Sequence, residues 1–212
     1  MYCKLHKKHH HHHHYGCARK LPSPSSDSSS TSSSDSEVLS NAALFRRNAE
    51  VIKLRRSTLT EQFPKEIWLP GKNDMEWCAF CLGSKICQEI YGERTEGERT
   101  VYYRKLPYRR FPLLSIVLHL HQDKVKLLLH YLHQWLLIKG LKNVICMWLY
   151  ALLACLDGSN VDEECDRFLV TLYKDLKRHL KSCEEWQKPR ATLIMDILSD
   201  YFSADISISD SQ

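Results

Sequence analysis

Cysteine and histidine are the residue types in this chain best suited to chemistry. Cys78 and Cys81 form a C-x-x-C pair, Cys87 follows six residues on, and His130 and His133 make an H-x-x-H. Such donors could complete a tetrahedral zinc site. Two features weigh against it: there is no second C-x-x-C pair, and the three cysteines sit among Trp77, Phe80, Leu82 and Ile86 at helix-compatible spacing. A thiol in that setting packs as a small hydrophobe, so neither a metal nor a cofactor is expected. The chain has no G-x-G-x-x-G, P-loop, H-E-x-x-H or G-x-S-x-G. No carboxylate pair is framed by apolar residues, as a raised-pKa acid would require. No catalytic residue is nominated, and a binding module is favoured over an enzyme.

Basic residues interleaved with aromatics offer a second chemistry. Arg94, Arg99, Arg104, Lys105, Arg109 and Arg110 alternate with Tyr102, Tyr103 and Tyr108, and an earlier segment carries Arg46, Arg47, Lys53, Arg55 and Arg56. Arginine plus tyrosine can hold single-stranded RNA by phosphate attraction and base stacking. The net charge is only +5, from 30 Lys and Arg against 25 Asp and Glu. Without an RNA-binding fold around them, such runs are more often a solvated face, so direct RNA binding is the alternative reading.

The elements that must position these residues are helical. Residues 111–156 are the most apolar stretch, broken near Gln122 and Gly140 into pieces too short for a bilayer span. Within it, Val125, Leu128, Leu129, Leu132, Trp135 and Leu136 recur at helical spacing, with Lys124, Lys126, His130, His133 and Gln134 mostly on the other side. Residues 144–156 are apolar nearly all round, which requires cover on every side from the domain or from a partner helix. Residues 38–63 read as one long helix capped by Ser40 or Asn41 and stopped by Pro64. A helix capped by Asn73 or Asp74 runs on through Ile90, one spans residues 161–183, and a last one opens at Pro189.

This predicts an all-α protein: a disordered tail over residues 1–37, one helical bundle over 38–204, and an acidic tail over 205–212. The tail holds the run His9 to His14, an expression tag or a native low-complexity tract, and a serine-rich stretch that cannot bury apolar surface. Ser26, Ser34 and Ser36, each near an acidic residue, are candidate substrates for acidophilic kinases in a stretch that reads first as a solvated linker. Nine cysteines without an apolar leader point to free thiols in a reducing compartment.

Three boxes, in order, resemble the survival-motor-neuron-interacting protein family. They are Trp77-Cys78-Ala79-Phe80-Cys81-Leu82-Gly83 with Cys87, then Phe111-Pro112-Leu113-Leu114-Ser115-Ile116-Val117, and Trp148-Leu149-Tyr150-Ala151-Leu152-Leu153-Ala154-Cys155-Leu156. Tyr131, Leu132 and Trp135 and the Tyr201-Phe202 pair fall in matching order, so the resemblance runs from about Leu44 to Phe202. It implies a non-catalytic assembly factor of the SMN complex, acting in the cytoplasm and nuclear bodies. The implied partners are the SMN protein, Sm proteins of the snRNP core and other SMN-complex subunits, with RNA reached only through the Sm ring.

In the family a groove of the helical domain takes an amphipathic SMN helix; the residues assigned to it here are Arg55, Leu59, Trp148, Leu149 and Leu152. A family arginine just before Trp-Leu-Tyr is Met147 in this chain, which leaves Arg55 to supply the ion pair. Relatives also carry an N-terminal arm that wraps Sm subunits. The His run and serine tract stand in its place here: either the arm has diverged beyond recognition or this is a shortened form.

Overall fold

The computed structural model describes residues 39–92 and 109–204. Among them there is no strand, and the all-α expectation holds. The helices are α1 (Asn41–Gln62), α2 (Asp74–Leu82), α3 (Ser84–Tyr91), the single turn α4 (Leu114–Val117), α5 (Gln122–Lys139), α6 (Asn143–Cys155), α7 (Glu163–Ser182) and α8 (Lys188–Asp196). A π turn, Ile197–Tyr201, extends α8. The expected tails, the His run, Ser26, Ser34 and Ser36, and most of the Arg/Tyr loop lie outside the described residues.

Helix α1 begins where Ser40 Oγ accepts the Ala43 N–H, and it stops before Pro64. It is not one straight rod: Arg55 leaves helical geometry at φ −111°, ψ 16°, and the helix bends there. Next to the bend, Arg56 donates to the carbonyls of Leu118 and Leu120, which holds the second half of α1 on the turn after α4.

The single helix expected from Asn73 to Ile90 is two. Asn73 does cap α2, but Gly83 interrupts the run at φ +94°, ψ 159°, a region only glycine enters freely. The Arg109 side chain comes within 3.5 Å of where a Gly83 Cβ would sit. The chain re-enters helix at Ser84, so the aromatic half and the Cys87 half of the box pack from different directions.

Helix α5 follows its sequence pattern: all six residues of the apolar stripe are buried. It ends at Gly140, whose φ of +74° reverses the chain into α6. Helix α7 is capped by Asp162, whose carboxylate accepts the Cys165 N–H at 2.8 Å, and its acidic first turn and basic last turn match the helix dipole.

Three tryptophans, Trp77, Trp135 and Trp148, anchor the core, and each buried indole N–H finds an oxygen: Gly71 O, Tyr91 Oη and Arg110 O at 2.8, 3.1 and 3.2 Å. The first and last elements also meet. Phe45 of α1 makes edge contacts with Tyr150 and Tyr201, at 5.3 and 5.0 Å between ring centroids, and Asn41 donates to Asp196.

Candidate partner-binding groove

Helix α6 has the composition of a wholly buried helix, yet one stripe of it is uncovered. Trp148, Leu149, Leu152 and Leu153 are completely buried, whereas Met147, Tyr150 and Ala151 are only partly so. The partly covered stripe is the floor of a groove of about 690 Å³ beside α1. Along α1, Arg47, Asn48, Val51, Ile52 and Leu59 form the other wall; Pro112, Leu114 and Val117 and, from α8, Arg190 and Leu193 complete it. Small side chains make the room, because Ala151 and Ala154 leave unfilled the space that Leu or Trp would take.

The groove has a direction. The two helices run alongside each other in the same sense: Asn48 donates to Tyr150 Oη at 2.9 Å, and further on Lys53 and Arg56 sit near enough to Asp157 to help hold its carboxyl below the usual range, an effect led by the Ser159 N–H bonded to it. At the beginning lie Arg47, Asn48, Asn143 and Arg190; toward the other end lie Leu59, Leu114 and Val117. Arg190 also stacks over Trp186 at 5.0 Å. Cys146 and Cys155 edge the groove, and burial pushes both thiols up to about 11.

The residues assigned from sequence divide accordingly. Leu59 lines the groove. Trp148, Leu149 and Leu152 lie on the inward face of α6, each 0% exposed, so they support the floor rather than form it. Arg55 is exposed at the bend of α1 and is not part of the lining. Met147, which replaces the family arginine, is in the lining, as are Tyr150, Ala151 and Arg190, which the sequence reading did not assign to the groove. A signal for the alanines was available, since residues 144–156 mix bulky and small side chains at helical spacing; Arg190 gave none, being about forty residues away in sequence.

Elsewhere the chemistry is structural. Cys78, Cys81 and Cys87 are fully buried; a hydrogen bond donated by the Cys78 thiol to the Cys87 sulfur, whose own S–H goes to the Met75 carbonyl, and then burial push Cys78 up, and burial does the same to Cys81. The seven cysteines described are all free thiols. His130 packs at a tilt against Phe168, with centroids 4.1 Å apart and ring planes at 45°, and burial lowers its pKa. His133, placed on the polar side of α5 by sequence, instead faces α7, where its Nε2 lies 2.6 Å from the buried Asp175 carboxylate, which also pairs with Arg178. Among the described residues no group of three or more His, Cys, Asp or Glu is placed to hold a metal ion. Of the basic face of α1, Arg56 is committed to backbone carbonyls and Arg46 lies over the Tyr201 ring at 5.1 Å. No described helix is long and apolar enough to cross a membrane.

Residues 5–204 match the family described as Survival motor neuron (SMN) interacting protein 1 (SIP1). The match reaches back through the serine tract and the His run, well before the Leu44 at which the resemblance read from the sequence begins. Mouse Gem-associated protein 2 is 30% identical over 156 residues, 72% of this chain and 57% of that protein. Xenopus laevis Gem-associated protein 2 is 29% identical over 99 residues, 46% of this chain and 38% of its own. The chain thus spans about half the length of the curated relatives it matches. Because the family match covers nearly the whole chain, this protein belongs to the SMN interacting protein 1 family.

Proposed function

We propose that this chain is a non-catalytic assembly factor of the SMN complex, whose α1/α6 groove binds an amphipathic helix of the SMN protein while other surfaces hold Sm proteins for closure of the Sm core on spliceosomal RNA. The observation that carries the reading is the uncovered apolar stripe of α6 in a member of this family. Leu59 lies twelve residues beyond Arg47, so the wall of α1 is roughly 18 Å long at 1.5 Å per residue, room for about three helical turns. An apolar groove of that length suits helix-in-groove recognition, with large apolar anchors inside and charge at the rim. The contact surface is Leu59 with Met147, Tyr150 and Ala151; Trp148, Leu149 and Leu152 hold that surface in place from behind. Action in the cytoplasm and nuclear bodies belongs to the same proposal.

Direct RNA binding is the weaker reading, because the arginines it would use on α1 include Arg46 and Arg56, which are engaged within the fold. Calorimetric titration of the full chain with a synthetic peptide of the SMN amphipathic helix from the same organism tests the proposal. Saturable binding with a negative heat-capacity change is expected, together with its loss on Ala151→Trp, which fills the groove. A folded wild-type chain that gives no binding heat and no change in melting temperature with the peptide would sink it.

A further inference from the structure

Beside the groove lies a smaller cleft between the same two helices, of about 120 Å³, lined by Ala49, Ile52, Lys53 and Arg56 of α1, by α6 and its exit from Ala154 on, and by Tyr201. Ile52, Ala154 and Cys155 belong to both hollows, so the cleft adjoins the groove. Its volume is well below the roughly 300 Å³ at which pockets for small molecules begin, which leaves room for a single side chain. The rim is positive. Lys53 is exposed, both it and Arg56 act on the Asp157 carboxyl, and the charge of Arg56 also reaches the Cys155 thiol. Asp157 is the acidic residue of the lining, and its carboxylate already accepts the Ser159 N–H at 3.1 Å.

The described chain ends beside this cleft. Tyr201 is one of its walls, and three residues later Ala204 is completely buried, its N–H bonded to the Leu198 carbonyl at 2.9 Å. Residues 205–212, which lie outside the described residues, therefore start from a fixed point on the core. They read Asp205-Ile206-Ser207-Ile208-Ser209-Asp210-Ser211-Gln212: two aliphatic side chains at alternate positions, set between two carboxylates, with no basic residue. The five steps from Tyr201 to Ile206 span at most about 17 Å, enough to return to a cleft that Tyr201 itself lines. We propose that residues 205–212 fold back into this cleft, with Ile206 seated between α1 and α6 and Asp205 or Asp210 against Lys53, and that the seated tail competes with a partner helix for the groove. The proposal rests on the groove reading above and adds a competitor within the chain. One aliphatic side chain and one exposed ion pair make a weak contact between separate molecules. Tethered at Ala204, the same contact forms at an effective concentration in the millimolar range. Because Ile52, Ala154 and Cys155 are shared, the tail and a helix lying along the whole groove cannot both cover them.

The test uses the full chain. Carbodiimide coupling joins a carboxylate to an amine only where the two touch. It should link Lys53 to Asp205 or Asp210 in the monomeric product, with the Lys139–Glu89 pair, 2.6 Å apart, as the internal positive. Lys53→Arg keeps the charge and should remove the product, and the SMN-helix peptide should suppress it in the wild type. Ile206→Ser/Ile208→Ser keeps both carboxylates, yet it should lose the product and bind the peptide roughly three- to tenfold more tightly, the factor expected when a competitor fills the site in about 70–90% of molecules. If the peptide binds but no Lys53 product forms while Lys139 couples to Glu89, or if the double variant binds as the wild type does, this inference is overturned and the groove reading stands. A Lys53 product found only in crosslinked dimers would give the cleft to a second copy and overturn it equally. If the Lys53 product forms in monomers and the peptide binds neither chain, the groove reading falls and the competition with it, while the seat of the tail stands.

Discussion

The two faces of α6 are built from the same kind of residue and do opposite things. On the inner face Trp148, Leu149 and Leu152 are completely buried, with the indole of Trp148 tied to the Arg110 carbonyl and tilted against Phe80 at 6.2 Å. On the outer face Ala151 and Ala154, flanked by Met147 and Tyr150, leave an open groove. Hydropathy does not distinguish them; side-chain volume does. Large residues mark the face the chain fills by itself, and small ones mark the face left for something else to fill. The seam between α5 and α7 is a third solution, closed by its own polar pair, His133 with Asp175.

The contrast breaks most easily from the inside. Trp148→Ala removes the largest side chain of the inner face and should cost about 3–5 kcal/mol of stability, read by denaturant unfolding. An unchanged unfolding midpoint would mean that the two faces have been assigned the wrong way round. At the α5/α7 seam, Asp175→Ala leaves His133 and Arg178 without their shared acceptor, and a loss of about 1–3 kcal/mol is expected. The thiols on the boundary between the faces give a smaller, pH-dependent effect. Cys146 and Cys155 have folded values raised from 9.0 to about 11. Their contribution is therefore whole below pH 9 and lost as pH rises through 11, since the unfolded chain gives up those protons first. Denaturation midpoints should fall over that window, and Cys146→Ala/Cys155→Ala should flatten the fall. The smallest effect on stability belongs to the outer face: Ala151→Leu should stay within about 0.5 kcal/mol of wild type in unfolding while weakening peptide binding. A large stability loss there would show that the groove is part of the packed core.

Much of this was legible in the sequence. The apolar stripe of α5 and the cap positions of α1 and α2, at Ser40 and Asn73, were read from spacing and cap chemistry alone, because each is settled within a few residues. The break at Gly83 was not. An isolated glycine inside an apolar periodic run does not reveal whether it carries φ > 0, and here the close approach of Arg109 accompanies that conformation. The groove residues were misplaced along α6 for a related reason: Trp148, Leu149 and Leu152 were selected for bulk, and bulk is what takes them into the core. Arg190 and the His133–Asp175 pair depend on which helices become neighbours, information that spacing within one helix does not contain.

The aromatic contact between Phe45 and Tyr201 turns the described chain into a closed belt, with its first helix buckled to its last turn. The π turn makes the buckle: its longer loop of backbone, closed by Phe202 N–H to the Ile197 carbonyl at 3.3 Å, brings Tyr201 and Phe202 both to within reach of the same ring. Trimming the chain after Asp196 would therefore unfasten α1 from the far side and slacken a groove whose walls lie mostly more than forty residues upstream.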